Sequence, residues 1–302
     1  MSKTALVFPG QGSQFAGMGR TVAEQFPAAR AVFEEADGAL GFALSKLCWE
    51  GPEEDLKLTE NTQPAILACS VAVLAALREK GLKADYVAGH SLGEYSALVA
   101  SGALRFADAA KLVRARGRYM QEAVPAGVGA MAALLRLPEG KLDEILSDAA
   151  QGEVVSAANL NSPDQVVIAG HAGAVGRAVE LAKAAGARRT VILVVSAPFH
   201  CALMEPAQRR LAADLAEVEF RDLEIPLVNN WQAREIRTAD AARQGLVEQV
   251  TNPVRWLDTV RYLIAQDVTR FIEVGPGGVL TGLLKNIDSN LTGVKCGEAS
   301  EV

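Results

Sequence analysis

Five residues constrain this chain more than any other stretch. Gly89-His90-Ser91-Leu92-Gly93 fits the pattern G-x-S-x-G. The apolar run 84–88 before it reads as a strand, and 92–101 after it reads as a helix. A serine between those elements sits on a sharp, strained turn, where anything larger than the flanking glycines would clash. The turn exposes the hydroxyl, and the helix N-terminus behind it offers N–H groups and positive partial charge to an oxyanion. The bland alternative is a Gly/Ser turn that only caps a helix. Strand and helix both fall where the motif needs them, which favours the nucleophile.

The surrounding pattern is strand, helix, strand, helix. Residues 4–8 read as a buried strand, 9–19 as a glycine-rich loop, and 64–80 as a helix with Pro64 suited to its first turn. Helices 92–101 and Phe106–Glu122 follow the serine strand. This alternation favours a parallel sheet covered by helices, an α/β fold. After Pro125 the order changes to strand 129–135, helix 138–149, strands 153–158 and 165–169, helix 172–185 and strand 189–195. That β-α-β-β-α-β order is ferredoxin-like and reads as an inserted unit. The α/β style then returns with helix 202–215, strand 225–229, helices 241–250 and 254–266, and strand 271–274.

With 302 residues, 50% of them hydrophobic, the chain can build one large core or a large core with a smaller companion. A formal net charge of -6 argues against a nucleic-acid binder, and an acidic partner would have to meet a local basic patch. Cys48, Cys69, Cys201 and Cys296 are scattered without a C-x-x-C pair, so no zinc site or disulfide framework is expected. The start of the chain reads as a strand rather than a signal peptide, and no apolar run reaches membrane-spanning length. The expectation is a soluble cytoplasmic protein with no metal and no membrane partner.

A serine hydroxyl needs a base to take its proton. The chain has three histidines: His90, His171 and His200. His90 is next to Ser91 on a tight turn and should project elsewhere, while His171 falls inside the inserted unit as a surface or turn residue. His200 follows an apolar strand as the chain re-enters the main unit, and elimination makes it the base. Cys201 beside it reads as a small buried residue. A carboxylate usually orients the imidazole; Asp258, Asp267 and Glu273 are all candidates, and nothing in their spacing selects one. Along Phe106–Glu122, Arg116 lies within the apolar arc, whereas Arg114 and Arg118 lie off it and read as solvated charges. A buried guanidinium needs an anion. Periodicity leaves two choices open, an internal ion pair or a substrate carboxylate.

The chain closely resembles the malonyl-CoA:acyl carrier protein transacylases of fatty acid synthesis. The segments that carry the resemblance are Phe8-Pro9-Gly10-Gln11-Gly12-Ser13-Gln14, Thr62-Gln63-Pro64, Gly89 to Glu94, Arg116-Gly117, Asn159-Leu160-Asn161-Ser162-Pro163, Phe199-His200-Cys201, and Glu248-Gln249 ahead of Asn252-Pro253. The resemblance implies an α/β-hydrolase-like core, 1–125 and 197–302, with a ferredoxin-like small subdomain at 126–196. It implies a malonyl ester on Ser91, with His200 as base and then acid. The N–H groups of Gln11 and Leu92 would form the oxyanion hole, and the main-chain carbonyl of Gln249 would orient the histidine in place of an aspartate. Arg116 would hold the malonyl carboxylate. Phe199 looks malonyl-selective by analogy with polyketide synthase modules, Met120 would wall the same pocket, and Gln63 and Asn161 match positions near the site. Arg188, Arg189 and Lys285 resemble basic positions that would dock the carrier.

The resemblance further implies malonyl-CoA and CoA as substrate and product, acyl carrier protein as partner, no bound cofactor, and action as a monomer. The rivals are a polyketide-pathway acyltransferase, a thioesterase with the same elbow, and a non-catalytic carrier-docking module. Gly10-Gln11-Gly12 is not a dinucleotide loop, because Phe15 stands where the third glycine should be. Gly275-Pro276-Gly277-Gly278 reads as a turn into a helix rather than a phosphate cradle.

Overall fold

The computed structural model describes residues 3–195 and 197–302. Met1, Ser2 and Ser196, the last of which closes the expected small subdomain, lie outside the described residues. The strands are β1 (Lys3–Phe8), β2 (Tyr86–Gly89), β3 (Gly129–Leu135), β4 (Val155–Ser162), β5 (Gln165–His171), β6 (Arg189–Ile192), β7 (Leu227–Val228), β8 (Glu235–Ile236), β9 (Val268–Val274) and β10 (Thr292–Cys296). They form a six-stranded sheet in the order β10-β9-β1-β2-β7-β8 and a four-stranded sheet in the order β4-β5-β3-β6. The larger sheet is parallel except for the β7–β8 pair, and the smaller is antiparallel throughout. The molecule is therefore α/β with a mixed, mainly parallel sheet and a second antiparallel one.

Strand alternation explains how the large sheet is buried on both faces. In β1, Leu6 and Phe8 enter the main core, whereas Ala5 and Val7 face a second cluster with Trp256, Val260 and Phe271. The small sheet divides in the same way. Ala132, Leu134 and Ile168 pack with the helices Leu142–Ala150 and Ala172–Ala184, while Met131, Ala133, Val167 and Ala169 turn toward the main core. One face of the antiparallel sheet thus closes over the body of the protein.

Several elements depart from the sequence expectation. The helix expected to begin at Pro64 runs Thr59–Glu79, with Pro64 inside it. Its first residues hid it because Thr62 and Gln63 are polar, yet both are buried. This helix is also long and apolar enough to span a membrane by length and composition, contrary to expectation, but 83% of the qualifying window is buried within the protein. Its apolarity serves the core. Four helices that the periodicity did not reveal (Arg20–Gln25, Pro27–Leu40, Leu44–Glu50 and Glu53–Leu56) precede it. Arg114 is not a simple solvated charge: its guanidinium stacks 4.0 Å over the Phe42 ring. Gly117 lets the helix Phe106–Glu122 touch Thr59–Glu79, since a Cβ there would lie 2.6 Å from the Thr59 carbonyl oxygen. That close crossing brings Arg116 to Gln63.

Candidate active site

The elbow is built as its glycines require. β2 ends at Gly89, and the helix Gly93–Ala100 begins two residues after Ser91. A Cβ on Gly89 would lie 1.9 Å from the Gly93 carbonyl carbon, and one on Gly93 would lie 2.0 Å from the Phe8 carbonyl oxygen. No side chain fits either gap. Ser91 takes φ 52°, a left-handed conformation uncommon for serine. Asn230 holds the turn from both sides: its Oδ1 accepts from Ser91 N at 2.7 Å and its Nδ2 donates to Gly89 O at 2.6 Å.

His200 meets the serine. Ser91 Oγ lies 2.7 Å from His200 Nε2, and His200 Nδ1 lies 2.8 Å from the main-chain oxygen of Gln249. A carbonyl can only accept, so Nδ1 carries the proton and Nε2 is left to receive one from the hydroxyl. Burial, then the positive charge of Arg116, pushes the imidazole down from 6.5 to about 3, while the Gln249 carbonyl opposes the shift. The ring is neutral at ordinary pH, as a general base must be. None of the three carboxylate candidates is its partner. Asp258 pairs with Arg255 at 2.8 Å. The Asp267 carbonyl accepts from Lys3 N at 3.2 Å, and Glu273 accepts from Leu280 N and Thr281 N at 3.0 and 2.7 Å. His90 points away, to Asn161 Oδ1 at 2.8 Å, and His171 Nδ1 accepts from Val154 N at 2.9 Å.

Arg116 is only 2% exposed. Its NH1 donates to Gln63 Oε1 at 2.8 Å, and its NH2 donates to Gln249 Oε1 at 2.9 Å and to Ser91 Oγ at 3.1 Å. Its Nε has no partner. Among the described residues no carboxylate forms an ion pair with it, so the internal-salt-bridge alternative does not hold. A buried cation in this state has unmet capacity for an anion.

Ser91, His200 and Arg116 line one cleft of about 130 Å³, together with Gln11, Gln63, Leu92, Met120 and Phe199. Leu92 caps the helix that follows the serine. Asn161 reaches the cleft through His90, which lines it: its amide joins His90 to Gln165 Oε1, the latter at 3.1 Å, and is 7% exposed. Asn159 lines the cleft directly. Both asparagines would share a face in a regular strand, but β4 slips register between Ala157 and Asn159 and again between Leu160 and Ser162. No sequence pattern announced those irregularities. Cys201 is buried, its thiol pushed up to about 11 by burial and donating to Pro198 O at 3.1 Å, so it is no second nucleophile. Arg188, Arg189 and Lys285 are exposed and do not line this cleft; the two arginines line a separate groove of about 490 Å³ with Leu283 and Asn286.

Sequence reasoning missed Asn230 and assigned no role to Glu94. Glu94 is 1% exposed, and its Oε2 accepts from Asn230 N at 3.0 Å and Gln249 Nε2 at 2.9 Å. The available signal for Glu94 was a carboxylate following the elbow on an otherwise apolar helix. Asn230 had none, because it lies after a two-residue strand far along the chain.

A serine–histidine pair in a cleft with a buried guanidinium can form and stabilise an ester of an anionic acyl group. Known proteins agree with that chemistry. The family of the acyl transferase domain matches residues 5–295. The chain is 50% identical over 301 residues to the malonyl CoA-acyl carrier protein transacylase of Escherichia coli (strain K12), covering 99% of this chain and 97% of that protein. An acyl carrier protein S-malonyltransferase crystal structure from Vibrio cholerae superposes with a TM-score of 0.97 at 49% identity, covering 99% of this chain and 98% of the other. A malonyl-transacylase solved in complex with a type II PKS acyl-carrier protein matches with a TM-score of 0.97 at 48% identity, over 99% and 97% of the two chains. On elbow geometry and on full-length similarity alike, this chain belongs to the malonyl CoA-acyl carrier protein transacylase family.

Proposed function

We propose that the chain transfers a malonyl group from malonyl-CoA to the pantetheine thiol of an acyl carrier protein, through an ester on Ser91. The observation that carries this reading is the meeting of Ser91 Oγ with His200 Nε2 at 2.7 Å and with Arg116 NH2 at 3.1 Å. His200 takes the serine proton as Oγ attacks the thioester carbon, and then protonates the departing CoA sulfur. The carrier thiol next gives its proton to His200 and attacks the ester, and the proton returns to Ser91 Oγ. Leu92 at the helix N-terminus and Gln11 across the cleft supply the oxyanion hole in this scheme. Arg116 meets the distal carboxylate, Gln63 and Met120 shape its surroundings, and Phe199 limits room for a branch.

The finer architecture follows the same reading: an α/β-hydrolase-like core at 1–125 and 197–302, and a ferredoxin-like subdomain at 126–196. The β4-β5-β3-β6 order supports it. We assign carrier docking to the groove of Arg188 and Arg189, with Lys285 on the adjoining helix Val279–Ile287. All reacting groups come from one copy of the chain, which fits action as a monomer. Apolar Met131, Leu193 and Val195 in the cleft wall disfavour water at the ester and support transfer over hydrolysis.

Intact-mass analysis after mixing with malonyl-CoA tests the reading. The native chain should gain one malonyl group, and Ser91→Ala should gain none. Acylation that persists in Ser91→Ala, or turnover that is no faster with carrier than with water alone, would refute it; the second result points to a thioesterase.

A further inference from the structure

The buried arginine has no ion-pair partner among the described residues, yet a carboxylate lies one residue beyond its contacts. Gln249 stands between them. Its Nε2 donates to Glu94 Oε2 at 2.9 Å and to Ser91 O at 3.0 Å, and its Oε1 accepts from Arg116 NH2 at 2.9 Å. A carboxamide is nearly isosteric with its own flipped form, so its surroundings must choose the orientation. Flipping this one would set Oε1 against the oxygens of Glu94 and Ser91, and the amide nitrogen against a guanidinium. Nε2 has a third, longer acceptor in Asn230 Oδ1 at 3.4 Å, and of the three only Glu94 carries charge, which makes its hydrogen bond the strongest.

We infer that Glu94 is a positioning residue: through the Gln249 carboxamide it orients Arg116 toward Ser91 and balances its charge without occupying it. A carboxylate in direct contact would neutralise the guanidinium and compete with an acyl carboxylate for its N–H groups. One amide in between keeps the field of the anion while leaving the donors available. The idea rests on the reading above that Arg116 meets the malonyl carboxylate. Glu94 shows other signs of placement: it is 1% exposed, its Oε1 lacks a partner, and its Oε2 also holds Asn230 N, the residue that grips the elbow. Burial pushes its carboxyl up to about 7, against the opposing pull of the Asn230 N–H, the Gln249 amide and Arg116.

Glu94→Gln tests this, since the glutamine oxygen can keep both accepted bonds while the charge is removed. Ser91 acylation rates with malonyl-CoA and acetyl-CoA are compared at pH 8 in the full chain, where the native carboxyl is ionised. The malonyl-to-acetyl ratio should fall about tenfold, the scale of one charge-assisted contact. That ratio does not depend on how much of the variant is folded. A ratio equal to the native one, or loss of both activities in the same proportion, overturns the positioning role and leaves Glu94 a structural acceptor. Arg116→Ala combined with Glu94→Gln should lower the ratio no further than Arg116→Ala alone; an additional drop also overturns it. Failure of the native chain to acylate at Ser91 would instead defeat the functional reading itself.

Discussion

At the scale of single residues, charge burial is the informative quantity. Arg116 is surrounded by neutral oxygens, two from carboxamides and one from the serine hydroxyl. Truncating one partner of a buried charge pair costs about 2–5 kcal/mol. Arg116→Ala is therefore expected to slow malonyl acylation of Ser91 by about a hundredfold or more, with a much smaller effect on acetyl acylation, read by rapid-quench mass spectrometry. Equal losses would remove the carboxylate clamp. Elimination among three histidines found His200, and helical spacing found Arg116 as a misplaced cation. The partner of His200 was legible only through family resemblance, because a main-chain carbonyl looks the same after every residue type. The carboxylates of Asp258 and Glu273 proved to serve elsewhere for the same reason: side-chain chemistry does not reveal which fold position needs it.

At the scale of elements, the turn and its neighbours are set by space. A Cβ at position 93 would lie 2.0 Å from the Phe8 carbonyl oxygen, and that atom belongs to β1, which cannot retreat without breaking its pairing with β2. Gly93→Ala should destabilise the protein by about 3 kcal/mol or more, as overpacking against backbone does. Chemical denaturation would measure it, and a change under about 1 kcal/mol would contradict the close approach. Glu273 gives the opposite case. It accepts from the first N–H groups of the helix Val279–Ile287 and is remote from the histidine's hydrogen bonds. Glu273→Ala should lower stability by about 1–3 kcal/mol as a lost buried acceptor, while acylation per folded molecule holds. A selective loss of rate would restore it as a catalytic carboxylate. Many elements were readable from periodicity, but the four helices between Arg20 and Leu56 were not, and boundaries failed where polar residues are buried near the site. Polar Thr62 and Gln63 masked the start of a core helix, and the register slips in β4, which no strand period announces, put Asn159 in the cleft wall and Asn161 against His90.

Across the whole molecule, two buried groups give stability opposite dependences on pH. His200 is held near 3 in the folded protein against 6.5 when free, so between those values only the unfolded chain binds its proton and stability falls as pH falls. Glu94 is raised from 4.5 to about 7, so the folded chain binds the extra proton and its contribution is lost as pH rises through 7. The two offset each other between about 4.5 and 6.5, and below 4.5 the histidine acts alone. Denaturation midpoints should therefore drop more steeply below pH 4.5 in the native chain than in His200→Gln; parallel curves would contradict the buried neutral imidazole. The groove of Arg188 and Arg189 is a local basic site on a chain of net charge -6. Reversing both to Glu should slow transfer to the carrier at low salt and leave malonyl-enzyme formation intact, measured as the two half-reactions separately. Slowing of both would argue against a docking role.

Short-range chemistry was present in the sequence itself: the elbow glycines, the serine, a single eligible base, and an arginine on an apolar arc. These are properties of a few neighbouring residues or of helical and strand periods, which depend on local sterics and burial. Tertiary structure alone decided what those groups touch. The carbonyl behind His200, the Asn230 grip on the turn and the path from Glu94 through Gln249 to Arg116 join residues as much as 155 positions apart. Such contacts are set by how sheets and helices pack, and packing is a property of the whole chain rather than of any window within it.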